Sequence, residues 1–179
     1  MKTLVSSFMR CNPPHQGHFL LIEKIKELST INNAIPVVFL SHTVDKKNPL
    51  PYNIKSELMN KWSDGIVKID LENKIKQPMN ILHYAHSEGY EKVIIVCGED
   101  RYTEYRSRID LFLNSRDYFN FQSVEVVCRG SRGFGEVESM SSTKMREFIK
   151  QKDYESFRMC LPLQCTNDEA KMLLEKLTL

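Results

Sequence analysis

A chain of 179 residues with 41% hydrophobic side chains is the size of one domain and can bury one substantial core. Its 25 Lys and Arg stand against 23 Asp and Glu, a formal net charge of +2, so nothing in the balance calls for a nucleic-acid or membrane partner. No run approaches the roughly 20 apolar residues of a bilayer span, the start MKTLVSSFMRCNPP lacks the apolar core of a signal peptide, and five cysteines without a CxxC pair read as reduced thiols, which together predict a cytoplasmic protein.

In chain order, Leu4 to Phe8 reads as a short apolar strand, and after the Pro13-Pro14 break Gln16 to Ser29 carries Leu20, Leu21, Ile25 and Leu28 at helical spacing. Ala34 to Leu40 is a second strand, followed by a loop rich in Lys, Asn and Pro (SHTVDKKNPLP) and a helix near Asn53 to Trp62. Ile66 to Ile69 is a candidate third strand. Pro78 opens a helix that Glu88-Gly89 closes, before the most apolar strand, Lys92 to Cys97. After Gly98-Glu99-Asp100 a polar helix runs to about Ser115, and Val124 to Cys128 is the last strand. From Ser141 onward the chain reads as three short helices, Thr143 to Gln151, Asp153 to Met159 and Asn167 to Leu177.

Strands that are continuous apolar runs, alternating with helices, predict an α/β fold: a Rossmann-like, doubly wound parallel sheet covered on both faces, with a helical C-terminal tail. One domain is expected, its core covering about residues 1–150 and its tail about 151–179. In such a sheet ligands bind beyond the carboxyl ends of the strands, so the loops that follow each strand are where chemistry is sought.

The first such loop, residues 12–18, reads NPPHQGH. His15 and His18, three apart at the opening of a helix, can face one side, Gly17 leaves room for a phosphate, and the free N–H groups of the helix start favour an anion. Two histidines in a helix turn can also be purely structural or bind a metal. The stretch resembles the HxGH signature of the nucleotidylyltransferase superfamily, which includes nicotinamide mononucleotide adenylyltransferases, pantetheine phosphate adenylyltransferases and cytidylyltransferases. The resemblance implies that His15 and His18 act on the phosphates of a nucleoside triphosphate and that Phe8, Met9, Arg10, Asn12 and Gly17 line the nucleotide pocket. Met9-Arg10 stands where many relatives have Gly-Arg, a departure that reshapes the pocket.

Residues 139–146, SMSSTKMR, resemble the family's second signature, ISSTxxR, with Met140 in place of Ile. Ser141, Ser142 and Thr143 at a helix start can cap it and donate to phosphate, and Arg146 can offer a fork to the outer phosphates. GEDR, residues 98–101, follows the most apolar strand. There the family's Gly-x-Asp element implies that Asp100 takes the ribose hydroxyls and that Gly98 lets the chain pass close to the nucleotide. Arg101 either meets phosphate or pairs with Glu104. Lys46, Lys47 and Lys55 follow the second strand, where relatives keep a phosphate-binding lysine, and Lys46 or Lys47 is the first choice. Arg129 to Gly135, RGSRGFG, is a basic glycine-rich turn that can fold over the substrates. His42 stays outside this set, and His83 and His86 are expected to face solvent.

The implied reaction is in-line attack of an acceptor phosphate on the α-phosphorus, with Mg²⁺ held mainly by the phosphates and no metal site made by protein alone. The Pro-Pro before His15 looks like the adenylyltransferase branch, so ATP is the expected donor and nicotinamide mononucleotide the leading acceptor. KKNPL and GEDR resemble small bacteriophage nucleotidyltransferases, in which case the compartment is a host cytoplasm. A cytidylyltransferase acting on a small phosphorylated alcohol and a non-catalytic nucleotide sensor stand as alternatives. GxxxxGK[ST] is absent, which argues against a P-loop kinase. Many relatives assemble, so a homo-oligomer is expected.

Overall fold

The computed structural model describes residues 1–115, 119–129 and 141–178. Among these, the strands β1 (Thr3–Met9), β2 (Ile35–Leu40), β3 (Lys92–Cys97) and β4 (Ser123–Cys128) form one parallel sheet in the order β2-β1-β3-β4. Around it lie helices α1 (Gln16–Ile31), α2 (Tyr52–Trp62), α3 (Asn80–Ser87), α4 (Glu99–Asn114), α5 (Ser142–Lys150), α6 (Tyr154–Cys160) and α7 (Asn167–Thr178). This is the α/β, Rossmann-like fold that the alternation predicts.

The apolar runs of the strands divide by parity between two cores, because successive side chains leave a strand on opposite faces. Val5 and Met9, Val38 and Leu40, and Ile94 and Val96 pack against α1, α2 and the C-terminal helices α5 to α7. Leu4, Val37, Phe39, Val93 and Ile95 pack against α3 and α4. Because both faces are covered, β2 and β3 are nearly apolar throughout, while β1 admits the small buried Ser6 and Ser7. The C-terminal tail is part of the first core, since Phe157, Cys160, Ala170 and Leu173 join the residues of β1 and α1 there.

From β1 the chain first builds outward to β2 and later returns to place β3 on the other side of β1, where Val5 aligns with Ile94. The winding direction therefore reverses between β1 and β3. That reversal opens a crevice between the loops at their carboxyl ends, and these are the loops that carry NPPHQGH and GEDR.

Two expectations need correction. Ile66 to Ile69 is not a strand but a single parallel bridge between Val67 and Val38, held by Val38 N–H to Ile66 O and Lys68 N–H to Val38 O, both 2.9 Å. The left-handed residues Asp64 and Gly65 precede it, and Asp70, whose carboxylate accepts the Lys74 and Ile75 N–H groups, turns the chain away after it. GEDR is also less of a loop than expected: α4 begins at Glu99 with Gly98 as its N-cap, so Asp100 sits in the first helical turn. His83 and His86 are exposed as expected, yet each ring meets Phe119 edge-on at 5.2 Å. All five cysteines are free thiols.

Candidate active site

Past β1 the chain makes a sharp turn in which Cys11 adopts φ 47°, a left-handed conformation that a residue with a side chain takes only under constraint. Two anchors supply the constraint. The Lys55 ammonium on α2 donates to the Arg10 carbonyl at 2.9 Å. The Asn12 amide makes a pair of hydrogen bonds with Leu50, its Nδ2 donating to the Leu50 carbonyl and its Oδ1 accepting the Leu50 N–H, each at 2.9 Å. With both polar ends used this way and only 1% of Asn12 exposed, Asn12 holds the loop. Phe8 and Met9 likewise serve the two cores, Met9 against α1 and Phe8 on the opposite face.

The two histidines cap α1 reciprocally. His15 is the N-cap, its Nδ1 accepting the Gly17 N–H at 3.0 Å, while His18 Nδ1 accepts the His15 N–H at 3.1 Å, and the ring centroids lie 3.8 Å apart. This is a capping box built from imidazoles in place of the usual Ser and Glu. A ring nitrogen that accepts a backbone N–H carries no proton, so in each neutral ring the proton sits on Nε2, which makes that atom a donor. The cap thus fixes the tautomer of both neutral rings.

The second signature docks directly onto the first. Ser141 caps α5 by accepting the Lys144 N–H at 3.1 Å. Ser142 Oγ then donates to the Pro13 carbonyl at 2.8 Å, Arg146 Nη1 donates to the Asn12 carbonyl, and Arg146 Nη2 donates to Thr143 Oγ1 at 3.2 Å. Burial lowers the Arg146 pKa, the nearby Asp45 carboxylate opposes that, and the Arg10 charge adds to it. From the end of β4, Arg129 Nη1 donates to the Gly17 carbonyl at 3.2 Å, bringing a second guanidinium to this region, at the first turn of α1.

The remaining expected residues lie on neighbouring loops. Asp45 accepts the N–H groups of Lys47 at 2.7 Å and Asn48 at 2.8 Å, making a tight turn with Lys46 and Lys47 exposed at its tip. The Asn48 side-chain hydrogen bond, chiefly, holds the Asp45 carboxyl below its usual range, and the Arg10 charge contributes to the same lowering. Of the three lysines, Lys55 alone touches the loop after β1, although the sequence favoured Lys46 or Lys47. At β3 a Cβ on Gly98 would come within 2.7 Å of Asp100 Oδ1, so the glycine is what allows that carboxylate its position. Arg101 pairs with Glu104 at 3.1 Å and with Asp100 at 3.4 Å, the surface pairing of the two readings offered for it. Residues 130–135 of the glycine-rich turn and Met140 lie outside the described residues. His42, two residues beyond β2, stacks on Tyr52 at 3.5 Å, a neighbour of the crevice that the sequence did not single out.

Among the described residues, this arrangement brings the His15–His18 pair and the guanidinium groups of Arg129 and Arg146 together on the loop and first turn between β1 and α1. Among the described residues no cluster of His, Cys, Asp or Glu is arranged to hold a metal ion, and none of the helices is long and apolar enough to cross a membrane.

The sequence matches no protein-family description and no curated protein. By structure the chain is similar to a candidate nicotinate-nucleotide adenylyltransferase from Vibrio parahaemolyticus, at TM-score 0.61 and 16% identity over 97% of this chain and 99% of that one. It is also similar to TmcAL from Thermotoga maritima in its apo form, at TM-score 0.56 and 12% identity over 98% of this chain. The same protein bound to α-thio ATP matches at TM-score 0.51 and 12% identity. The chain spans 57% and 56% of the two TmcAL chains. At these identities the likeness is one of fold.

Proposed function

We propose that the protein is a nucleotidylyltransferase that moves an adenylyl group from ATP to a phosphorylated acceptor. The observation that carries this reading is the junction of the two signatures. Arg146 and Ser142 donate to the backbone carbonyls of Asn12 and Pro13, next to the His15–His18 pair, at the point where the sheet reverses its winding.

An acceptor phosphate oxygen attacks the α-phosphorus in line, the bond from that phosphorus to the bridging oxygen breaks, and pyrophosphate leaves with the bonding electrons. His15 and His18, through Nε2–H, and Arg146 offset the charge that builds on the phosphates, and Asp100 receives the ribose. Because these donors are fixed before the substrate arrives, they need no reorganisation at the moment of reaction. Mg²⁺ carried by the triphosphate would add charge neutralisation at the phosphates.

Nicotinamide mononucleotide is the leading acceptor. The Vibrio neighbour's description as a nicotinate-nucleotide enzyme puts nicotinate mononucleotide beside it. The test is a pyrophosphate-release screen that crosses the four nucleoside triphosphates with phosphorylated acceptors, including both pyridine mononucleotides and phosphorylated alcohols. Release that depends on ATP and on one acceptor supports the reading. ATP binding without release from any pair assigns the protein to nucleotide sensing, and preference for CTP with a phosphorylated alcohol makes it a cytidylyltransferase.

A further inference from the structure

Of the five cysteines two stand in strands, and the sheet sets them side by side. Cys97 ends β3 and Cys128 ends β4, and the parallel register that begins at Lys92 and Ser123 makes these two residues partners. Alternate residues of a strand share a face. Val93 and Ile95 of β3, and Val124 and Val126 of β4, all belong to the core against α3 and α4, so Cys97 and Cys128 leave the sheet on that side together. Both are free thiols, Cys97 buried and Cys128 partly exposed. Burial, chiefly, pushes the Cys97 thiol up to about 12, with the neighbouring Cys128 and then Asp100 adding to the rise.

Neighbouring strands lie about 4.8 Å apart, and a disulfide spans Cα separations of about 4.4–6.8 Å. Two aligned cysteines therefore need no slip of one strand along the other to be joined. We propose that Cys97 and Cys128 are a reversible disulfide site at the carboxyl ends of β3 and β4, oxidised by a small hydroperoxide. With hydrogen peroxide the more exposed Cys128 reacts first: its sulfur attacks one peroxide oxygen, the O–O bond breaks, and water leaves as a sulfenic acid forms. Cys97 then attacks Cys128 Sγ, the S–S bond forms, the S–O bond breaks and a second water departs. The two thiols lose two electrons, the peroxide gains them, and both thiol protons end in water.

The place of the pair gives its closure an effect. A disulfide holds its Cβ atoms about 3.5–4.5 Å apart, nearer than the spacing of the strands, so closure draws the two strand ends together. Those ends lead directly into Gly98, which allows Asp100 its position, and into Arg129, which donates to the Gly17 carbonyl. The Arg129 N–H also donates to the Cys97 carbonyl at 2.9 Å, so a movement of one end is passed to the other. Oxidation thereby shifts Asp100 and Arg129 against the first turn of α1 and weakens ATP binding. That weakening rests on the reading of the region as a triphosphate site; the disulfide itself does not.

The experiment treats the reduced full chain with hydrogen peroxide, blocks remaining thiols with iodoacetamide and maps unreduced peptides by mass spectrometry, for wild type, Cys128→Ser and Cys97→Ala. Wild type is expected to give a Cys97–Cys128 peptide linked within one chain, lighter by two hydrogens and resolved by dithiothreitol. Neither variant is expected to give it, and in Cys128→Ser the Cys97 thiol is expected to stay reduced. Sulfinic acid at Cys128 with no link, links only between chains, or oxidation of Cys97 that persists in Cys128→Ser each overturn the proposal. Should Cys97→Ala not fold, wild type and Cys128→Ser decide it alone. Titration calorimetry then compares ATP affinity before and after peroxide. The oxidised wild type is expected to bind roughly ten-fold more weakly, the worth of one hydrogen bond to a charged group, with no change in Cys128→Ser. Equal affinity in both wild-type states overturns the coupling to the site. Absence of ATP binding by reduced wild type refutes the triphosphate reading, while the peptide map still decides the disulfide.

Discussion

The guanidinium of Arg146 donates a hydrogen bond to the carbonyl oxygen of Asn12, 134 residues earlier in the chain. That bond joins the start of α5 to the loop in front of α1, so the groups proposed to act on the triphosphate are held by one another. It also leaves the arginine partly desolvated, where its charge is worth more to an anion than it would be in water.

Replacing Arg146 with Lys keeps a charge but not the fork that reaches both Asn12 and Thr143. The expected result is a loss of about 10²-fold in kcat/KM for pyrophosphate release, with the melting temperature within a few degrees of wild type. Activity equal to wild type would remove Arg146 from the mechanism.

His18→Ala removes the proposed donor and also the acceptor of the His15 N–H. Turnover is expected to fall by about 10²–10³. Stability is expected to fall by about 1 kcal/mol, the usual cost of a lost cap. Steady-state kinetics and a urea melt separate the two effects, and an unaltered kcat refutes the assignment.

Gly98→Ala places a methyl group against Asp100 Oδ1, which then has to move. Since Gly98 has φ −70°, alanine meets no backbone strain there. The prediction is a rise of roughly ten-fold in KM for ATP, about the worth of one hydrogen bond to a charged group, with little change in the melt. A KM that stays put would show that Asp100 does not receive the ribose.

Glu169 predicts how the fold responds to acid. It accepts hydrogen bonds from Lys61 at 2.6 Å, Trp62 at 3.0 Å and the Thr166 N–H at 2.8 Å, tying α7 to α2. Burial opposes its charge, but these bonds together outweigh it and hold the carboxyl at about 2, below its ordinary 4.5. A carboxyl lowered on folding contributes stability that is complete above its ordinary pKa and is lost as pH falls toward the folded one. Thermal melts between about pH 5 and about pH 2.5 should therefore decline more steeply in wild type than in Glu169→Gln, which starts lower at neutral pH. Parallel curves would show that the linkage lies elsewhere.

The fold was readable because β2 and β3 are apolar on both faces, which leaves unbroken runs such as VIIV at β3, and because Pro and Gly mark the ends of several helices. Ile66–Ile69 had the composition of a strand, but the turns on either side confine it to one rung, and a ladder's length is not written in four apolar residues. The two signatures were visible as motifs; that Ser142 and Arg146 would bind the carbonyls of Pro13 and Asn12 was not, because backbone acceptors have no letter in a sequence. Lys55 did leave a trace. It falls at the helical spacing of Leu58, Met59 and Trp62, so a charged residue was standing in the apolar stripe of α2, and the more conspicuous pair Lys46-Lys47 drew attention from it. Asn12, by contrast, was expected to meet ligand, because a polar residue in a functional loop reads the same whether it binds substrate or its own backbone.

The docking of α5 onto the loop before α1 sets a timetable for biosynthesis. At about 5–20 residues per second, His15 and His18 leave the ribosome on the order of ten seconds before Arg146 does. During that interval the nascent chain displays the first signature with the Asn12 and Pro13 carbonyls still wet and the first core uncovered on the side of α5 to α7. The proposed transfer is therefore expected only once α5 has been synthesised and has docked onto this loop.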